Sequence, residues 1–366
     1  MPTPRQKPDG PLRKGWTTGA CATAATVAAL QALLTGDFPD PVTITLPRGE
    51  EPTFELTRKE INANQATASI IKDAGDDPDI THGAEIVVTV TLGKTPGPIT
   101  FHAGPGVGTV TRPGLALEVG EPAINPHPRQ MMEGVVRGLN AKYGTDGDNR
   151  SVAITVAIPG GEALAEKTMN GRLGIKGGLS VLGTTGVVIP YSCSSWIHSI
   201  HRGVDVSRAA GFTHIAAATG STSEAAVQKI LKLPEAALID MGDFAGGLLK
   251  YLRRHPVERL TIAGGFGKLT KLAQGAMDLH SSRSRVDMVA LAGILGSLGA
   301  DADTVTAAET ANTAVEVLET AQAKGLALGD LIAGRAREAA MATLSGGTRV
   351  DVMIFDRTGK QVGYAA

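Results

Sequence analysis

At 366 residues the chain is longer than one ordinary domain, and a length of roughly 150 residues per domain predicts two domains, each with enough apolar residues for a core. Its 35 basic and 36 acidic residues leave a net charge of -1, which argues against bulk electrostatic binding to nucleic acid or to an anionic membrane. Two cysteines are too few for a disulfide framework. We find no apolar signal-peptide core at the N-terminus and no apolar run long enough to span a membrane. These features predict a soluble cytoplasmic protein.

The N-terminal region predicts a flexible tail followed by a helix. Residues 1–12 are Pro-rich and polar, as in loosely held termini. The stretch that follows predicts a helix capped by Thr17 or Thr18, running on Ala, Val and Leu, and ended by Gly36. Amides and hydroxyls at such a helix start suit an anionic ligand group. Cys21 is interpreted as a small buried residue, the alternative being a thiol acidified by the helix start and by Lys14.

Residues 42–103 predict strands with polar loops, over 42–46, 53–71, 84–92 and 97–103. Between the second and third strands, four aspartates fall within seven residues: Asp73, Asp76, Asp77 and Asp79. The spacing is not that of a calcium loop. It indicates either a turn that satisfies its own backbone or a carboxylate that accepts a proton or a ligand hydrogen bond.

The next region predicts a glycine loop at 104–108, a helix near Arg129, a strong strand from Ser151 and a short helix over 161–169. Residues 170–192 then hold six glycines among branched apolar residues. A flexible linker needs no such apolar residues. We therefore expect ordered turns in which glycines let the backbone approach closely either a ligand or another segment.

From residue 196 onward, helices and strands alternate. Helices are predicted over 196–211, 221–233 (capped by Ser221 or Ser223) and 243–255 (capped by Asp243), and strands over 213–220, 236–242 and 257–265. Such alternation predicts a parallel sheet whose ligands lie at the carboxyl ends of its strands. Asp240 follows Gly220 by 20 residues, close to the interval at which a carboxylate can hold ribose hydroxyls.

Beyond the third of these strands lies a basic region with Lys268, Lys271, His280, Arg283 and Arg285, which is either a solvated face or a site for a carboxylate-rich ligand. Ala-rich helices over 286–346 and a closing strand pair complete the chain. The predicted fold class is α/β: an α+β, glycine-rich domain over 13–195, followed by a Rossmann-like α/β domain over 196–366 with a largely parallel sheet.

Several long segments, in order, carry a family resemblance: RKGWTTGACATAA, KDAGDDPDITHGAEI, GPGVGTVTRPGL with GEPAINPHPR, NGRLGIKGGLSVLGTTGVVIPYS, and GGFGKLTKLAQG with HSSRSR. Together they resemble the motifs of the cobalt-precorrin-5B C-1 methyltransferase family, CbiD. Gly171 and Ile189 depart from the family pattern. The resemblance implies methylation of ring carbon 1 of cobalt-precorrin-5B by S-adenosylmethionine, giving cobalt-precorrin-6A in cobalamin (vitamin B12) biosynthesis.

The chemistry of these two molecules assigns roles to residues. The domain over 196–366 is expected to bind S-adenosylmethionine through Gly220, Ser221, Thr222, Glu224, Asp240, Gly264 and Gly265. The carboxylates of the tetrapyrrole need cationic and hydroxyl partners, and the domain over 13–195 is expected to face it. The candidates are Arg13, Lys14, Thr17, Thr18, Arg129, Arg172, Lys176, Thr184, Thr185, Lys268 and Arg283. If a proton moves, Asp73, Asp76 or His280 would carry it.

No protein-bound metal, nucleic acid or membrane partner is expected, and self-association is left open. Two other functions compete with methyl transfer. A nucleotide-dependent oxidoreductase would need a GxGxxG after the first strand of the second domain, where the chain has TGSTSE. A non-catalytic tetrapyrrole carrier would explain the basic residues but would leave the Gly220 loop and Asp240 without a role.

Overall fold

The computed structural model describes residues 10–144 and 150–366. Most of the expected flexible tail, residues 1–9, therefore lies outside the described residues. The chain divides into two compact units, Met1–Ser192 and Cys193–Ala366. The division falls three residues before the boundary expected from the sequence.

The first unit combines a mainly antiparallel sheet with helices and short strand pairs. Its elements are β1 (Gly15–Trp16), α1 (Thr18–Thr35), β2 (Val42–Thr43), β3 (Thr53–Phe54), β4 (Arg58–Ile61), β5 (Gln65–Ile71), β6 (Glu85–Pro96), β7 (Ile99–Ala103), β8 (Gly106–Val107), β9 (Thr109–Val110), α2 (Pro126–Tyr143), β10 (Arg150–Ala157), α3 (Gly161–Ala165), β11 (Ile175–Lys176), β12 (Gly178–Leu179) and β13 (Val187–Val188). The main sheet has the order β4-β5-β6-β10-β7, with only β10 and β7 parallel.

Alternating side chains fix which face of this sheet is buried. Val152, Ile154 and Val156 of β10 are buried, and the residues between them are partly exposed. Because successive side chains of a strand point to opposite faces, these three residues share the core face. The predicted strand over 53–71 is in fact three strands, since the turn at Asn62, whose amide donates to the carbonyl of Gln65 at 2.7 Å, folds β4 back on β5.

Helix α1 forms the centre of the core. Thr17 caps it by accepting a hydrogen bond from the amide of Ala20, and Gly36 ends it in the left-handed conformation, as the sequence predicted. The helix contacts β5, β6 and α2, and its alanines let all three approach closely. By length and composition α1 could cross a membrane, which corrects the expectation that no stretch reaches that length, but 72% of it is buried inside the unit. In this fold it is a core helix.

The glycine stretch over 170–192 is built from short strand pairs rather than from one sheet. β13 pairs with β1, β11 with β9, and β12 with β8. A Cβ atom added to Gly178 would lie 2.3 Å from the carbonyl oxygen of Gly106, and one added to Gly183 would lie 2.1 Å from Thr17 Oγ1. The sequence left open whether these glycines let the backbone approach a ligand or another segment. In the structure they let it approach another segment.

A similar contact joins the start of the chain to the aspartate-rich loop. A Cβ atom on Gly15 would lie 2.0 Å from the carbonyl carbon of Ala74. On the other side, a Cβ atom on Gly75 would lie 2.2 Å from the carbonyl oxygen of Arg13, and the positive φ of Gly75, 67°, also favours glycine. The two backbones therefore touch with no room for side chains.

The second unit is a layered α/β structure. Its elements are α4 (Cys193–Ala209), β14 (His214–Ala218), α5 (Ser221–Leu231), β15 (Leu238–Asp240), α6 (Ala245–Leu252), β16 (Arg259–Gly265), α7 (Phe266–Ala273), α8 (Met288–Ser297), α9 (Ala302–Glu309), α10 (Ala314–Ala323), α11 (Leu328–Leu344), β17 (Arg349–Phe355) and β18 (Gln361–Ala365). The sheet order is β15-β14-β16-β17-β18, parallel except for the antiparallel pair β17 and β18. The predicted α/β fold class with a largely parallel sheet is confirmed.

In chain order this sheet reads 2-1-3-4-5, so the direction of winding reverses between β14 and β16. Such a reversal leaves a crevice at the carboxyl ends of the two strands, where ligands of doubly wound sheets bind. The predicted helix caps in this unit are wrong. Gly220, not a serine, caps α5, because Ser223 turns its hydroxyl to the carbonyl of Gly220 at 2.8 Å, and α6 begins only after Phe244, beyond Asp243.

The contact at Gly15 generates a stability prediction. Gly15→Ala is expected to lower the free energy of unfolding by roughly 3 kcal/mol or more, since overpacking costs about 1 to 3 kcal/mol even where side chains can yield and here the obstacle is backbone. Urea unfolding of the full chain, followed by circular dichroism, measures the change.

The matched control is Gly134→Ala, at an exposed position of α2, where an added Cβ meets nothing within 4 Å. Alanine there should raise the stability by about 1 kcal/mol through its better helix propensity. If both variants had the same stability, the backbone contact at Gly15 would be contradicted.

Candidate active site

The strands β14, β15 and β16 end at the same edge of the second unit's sheet. Ala218, the last residue of β14, is paired with Asp240 on one side and with Ala263 on the other. Because the strands are parallel, the loops that leave them lie side by side. This edge therefore gathers the residues expected to hold the cofactor: Gly220, Ser221, Thr222, Glu224, Asp240, Gly264 and Gly265.

The crevice at this edge lies between the loops that lead into α5 and α7. The amide of Thr219 donates to the carbonyl of Ala263 at 2.9 Å, which holds the two loops together at their base. A Cβ atom on Gly264 would lie 2.8 Å from Thr219 Oγ1, so this glycine is required by close packing. Beside Gly220 and Gly265, in contrast, an added Cβ would meet nothing within 4 Å. Open space thus adjoins the first turns of both helices.

Lys268 links two of the loops that border the crevice. Its Nζ donates to the carbonyl of Thr219 at 2.9 Å and lies 3.0 Å from Asp243 Oδ1. That oxygen is buried, and although it lies at ion-pair distance it accepts no well-aligned hydrogen bond from the described residues. Lys268, expected to bind a substrate carboxylate, is therefore engaged with the loop after β14.

The remaining predicted residues of the second unit are placed as follows. Asp240 ends β15, is half-buried, and accepts at its backbone carbonyl a hydrogen bond from Trp196 Nε1 at 3.3 Å. His280 and Arg283 follow α7 in an exposed loop. The Nδ1 atom of His280 lies 2.7 Å from the hydroxyl of Ser282, and Arg283 lies 3.9 Å from Asp278.

In the first unit, Arg13 and Asp73 form a two-pronged ion pair. Both terminal nitrogens of Arg13 donate to the carboxylate of Asp73, and the backbone amide of Arg13 donates to Asp76 Oδ2 at 2.6 Å. The hydrogen bonds from Arg13 lower the pKa of Asp73 to about 2, although partial burial opposes them. Asp73 is thus ionised at neutral pH and a weak base, and Arg13 is engaged in an ion pair with it although both side chains stay exposed.

A second ion pair in the same loop was not foreseen from the sequence. Lys72 is 1% exposed, and its Nζ donates to Asp79 Oδ2 at 2.6 Å. Burial alone would raise the pKa of Asp79, but the charge and hydrogen bond of Lys72 outweigh it and lower that pKa. The alternation of β5 carried the signal: Ala66, Ala68 and Ile70 are buried, and Lys72 continues the same face.

Two further groups lie near this loop. Burial raises the pKa of Asp77, which accepts a hydrogen bond from the amide of Tyr191 at 2.8 Å. Cys21 is fully buried in α1, and burial raises the pKa of its thiol to about 12. The alternative of an acidified thiol is therefore wrong, because desolvation disfavours the thiolate.

Several expected substrate-binding residues of the first unit serve the fold. Arg129 donates to the carbonyls of Ile124 and Pro122 and to Glu121, at 2.8, 3.1 and 2.8 Å, and lies over the ring of Phe101. Thr17 caps α1, and Thr18 exchanges hydrogen bonds with the backbone of Leu182 at 3.0 and 2.9 Å. Thr185 closes a local turn with Val187.

The other candidates are more open. Lys14 and Lys176 are exposed and form no ion pair with the described residues, Arg172 is half-buried, and Thr184 is exposed. The described residues contain no group of three or more His, Cys, Asp or Glu side chains that could hold a metal ion. The structure thus gathers the expected cofactor residues at one edge, whereas two of the expected cationic partners in the first unit, Arg13 and Arg129, are already engaged in ion pairs.

Comparison with known proteins identifies the family to which the chain is similar. A family model described as CbiD matches residues 5–190, and one described as CbiD, C-terminal domain, matches residues 278–366. A cobalt-precorrin-5B C(1)-methyltransferase of Brucella anthropi is 56% identical over 359 residues, covering 98% of this chain and 97% of that protein. One of Paramagnetospirillum magneticum is 59% identical over 355 residues, covering 97% and 98%.

Among solved structures, the crystal structure of a cobalamin biosynthesis protein (cbiD) from Archaeoglobus fulgidus matches with 28% sequence identity and a TM-score of 0.39. The match covers 75% of this chain and 84% of that chain.

The buried pair in the first unit yields a prediction. Lys72→Met should lower the free energy of unfolding by about 3 kcal/mol, because removing one partner of a buried pair leaves an uncompensated charge. The loss lies at the lower end of the usual range because Asp79 keeps 24% of its side chain exposed. Urea unfolding of the full chain measures it.

Lys59→Met is the matched control: its ion pair with Asp40, at 2.8 Å, is exposed, so its loss should cost less than about 1 kcal/mol. Adding Asp79→Asn to Lys72→Met should restore part of the stability by removing the uncompensated charge. A double variant less stable than the single variant would contradict this account.

Proposed function

The chain belongs to the CbiD family, and we propose that it performs the reaction after which its relatives are named. It is an S-adenosylmethionine-dependent C-methyltransferase that converts cobalt-precorrin-5B to cobalt-precorrin-6A in cobalamin biosynthesis. The observation that carries this conclusion is the identity of 56% to 59% with cobalt-precorrin-5B C(1)-methyltransferases over nearly the whole length of both chains. Cobalt enters as part of the substrate.

The crevice between β14 and β16 supports a donor site in the second unit. S-adenosylmethionine needs close backbone approach, a carboxylate for its ribose, and partners for the charged ends of its amino-acid tail. Gly220 and Gly265 offer open space at the starts of α5 and α7, whose free amides suit the carboxylate of the tail. Asp240, at the end of the neighbouring strand, is the proposed partner of the ribose hydroxyls.

Methyl transfer depends mainly on how the methyl donor and the ring carbon are oriented. The electron pair of the ring carbon attacks the methyl group in line with the carbon–sulfur bond, that bond breaks, and S-adenosylhomocysteine leaves as a neutral thioether. Holding the two reactants in this geometry can supply several kcal/mol, roughly 7 to 11 in favourable intramolecular models. The protein therefore acts chiefly by binding both molecules and by excluding water.

Acid and base chemistry plays a smaller part in this proposal. The residues proposed to carry a proton, if one is lost from the methylated ring, are Asp73, Asp76 and His280. Asp73 is a weak base, since Arg13 lowers its pKa to about 2. Asp76 accepts a hydrogen bond from the backbone amide of Arg13, and the side chain of His280 is exposed.

The first unit is proposed to face the tetrapyrrole. Lys14, Arg172 and Lys176, with the hydroxyl of Thr184, lie on segments that short strand pairs and glycine contacts hold together. Cations on such an ordered surface suit carboxylate side chains. The enzyme is further proposed to act in the cytoplasm without nucleic acid or membrane, and self-association stays open.

Binding of the product S-adenosylhomocysteine tests the donor site. Isothermal titration should detect saturable binding to the full chain, and Asp240→Ala should weaken it about tenfold because the ribose loses its carboxylate partner. The matched control, Glu258→Ala, removes the same charge beside the opposite end of β16 and should leave the affinity unchanged. Unchanged affinity in Asp240→Ala would remove Asp240 from the site, and no binding to the unaltered chain would favour a carrier.

The reaction itself is tested with cobalt-precorrin-5B and S-adenosylmethionine labelled in its methyl group. We expect one label per macrocycle, located on C-1 by NMR, together with one S-adenosylhomocysteine. A label on another ring carbon, or none, would overturn the proposed function.

A further inference from the structure

A groove of about 850 Å³ lies on the second unit, between α4, α6 and the loop that carries Asp278 and Arg283. Its floor is apolar and is formed by Ile197, Phe244 and Met277. A volume of this size is at the upper end of those that hold small organic ligands. None of its lining residues belongs to the expected cofactor set.

Two glycines create this floor. A Cβ atom on Gly246 would lie 2.8 Å from Met277 Cβ, and one on Gly247 would lie 3.2 Å from Ile197 Cγ1. At these two positions helix α6 presents backbone, and the side chains of Ile197 from α4 and Met277 from the loop pack against it. The floor is shaped by tight packing and is not a chance gap between side chains.

A stack of three rings adds a flat, fixed wall. The ring of Tyr251 lies 3.9 Å from that of His201, at 10°, and 4.1 Å from that of His255, at 18°. The hydroxyl of Tyr251 donates to Asp205, whose two oxygens lie 2.8 and 2.7 Å away. Both the stacking and this hydrogen bond hold the wall in one orientation, and all three residues line the groove.

The rim of the groove is cationic, and its charges are free. Lys250, Arg253 and Arg254 are exposed and form no ion pair with any residue in the described part of the chain, and Arg283 has only the distant contact to Asp278. Asp278 is the only carboxylate among the lining residues. Arg13, Arg129 and Lys268, by contrast, already have partners.

We propose that this groove binds the tetrapyrrole substrate: its apolar floor and ring stack contact the flat macrocycle, and its free cations pair with the acetate and propionate carboxylates. The proposal rests on the proposed function for the identity of the substrate, and it moves the main carboxylate partners from the first unit to α6. Guanidinium groups are suited to this role because they bind carboxylates through two parallel hydrogen bonds.

Direct binding tests the groove with a stable probe, uroporphyrin III, an octacarboxylate tetrapyrrole. Fluorescence titration of the full chain should give a dissociation constant at least tenfold higher for the double variant Arg253→Ala/Arg254→Ala than for the unaltered chain. The control is Lys229→Ala/Arg335→Ala, which removes two exposed helix cations outside the groove and should change the constant less than twofold. Equal constants for the two double variants would overturn the proposal.

Arg253 and Arg254 also lie at the carboxyl end of α6, where cations stabilise a helix. Thermal unfolding and circular dichroism establish whether the alanine variant is folded. Arg253→Lys/Arg254→Lys keeps the positive charge at the end of the helix but loses the two parallel hydrogen bonds of a guanidinium group. It should weaken binding of the probe less than the alanine variant does. Full affinity in both variants would exclude the arginines from the site.

Steady-state kinetics separate this proposal from the proposed function. The alanine variant should raise KM for cobalt-precorrin-5B at least tenfold, with kcat and the affinity for S-adenosylhomocysteine unchanged. If the unaltered chain methylates the substrate and the variant keeps its KM, the groove proposal alone fails. If the unaltered chain is inactive but probe binding depends on the arginines, the proposed function fails and the groove stands. Weakened S-adenosylhomocysteine binding in the variant would assign the groove to the donor and overturn the proposal.

Discussion

Close contact between backbones at glycine positions is the constraint on which the first unit depends. Gly15 touches Ala74 and Gly75, and Gly178 touches Gly106, so segments far apart in sequence meet without intervening side chains. The contacts of Gly15 and Gly75 bring the start of the chain against the aspartate-rich loop, where Arg13 pairs with Asp73. The glycines thus have a structural reason in packing, before any ligand is considered.

The second unit presents two different kinds of surface. At the carboxyl edge of its sheet, small residues leave space between β14 and β16 and a braced lysine holds the loops. Along α4 and α6, the same unit exposes free cations over an apolar floor.

The regular elements could be predicted from the sequence because their signals are local. Local patterns predicted the caps at Thr17 and Gly36, the strand β10, and the succession of strands and helices after residue 196. What could not be predicted depends on contacts between distant residues. The predicted caps of α5 and α6 are wrong because the side chains of Ser223 and Asp243 contact other groups. Lys72 was missed because a lysine is rarely buried, and the grouping of Lys250, Arg253 and Arg254 around a groove needs the packing of α4 on α6.

The two thiols have opposite surroundings, and this difference has a practical use. Cys21 is sealed inside α1 with its pKa raised to about 12, whereas Cys193 is exposed at the first residue of the second unit and lines the groove. Since only a thiolate reacts with maleimides, a dye added near neutral pH would attach to one place on the folded chain. The natural protein thus carries a single attachment point for an optical reporter beside the groove, with no engineered cysteine required.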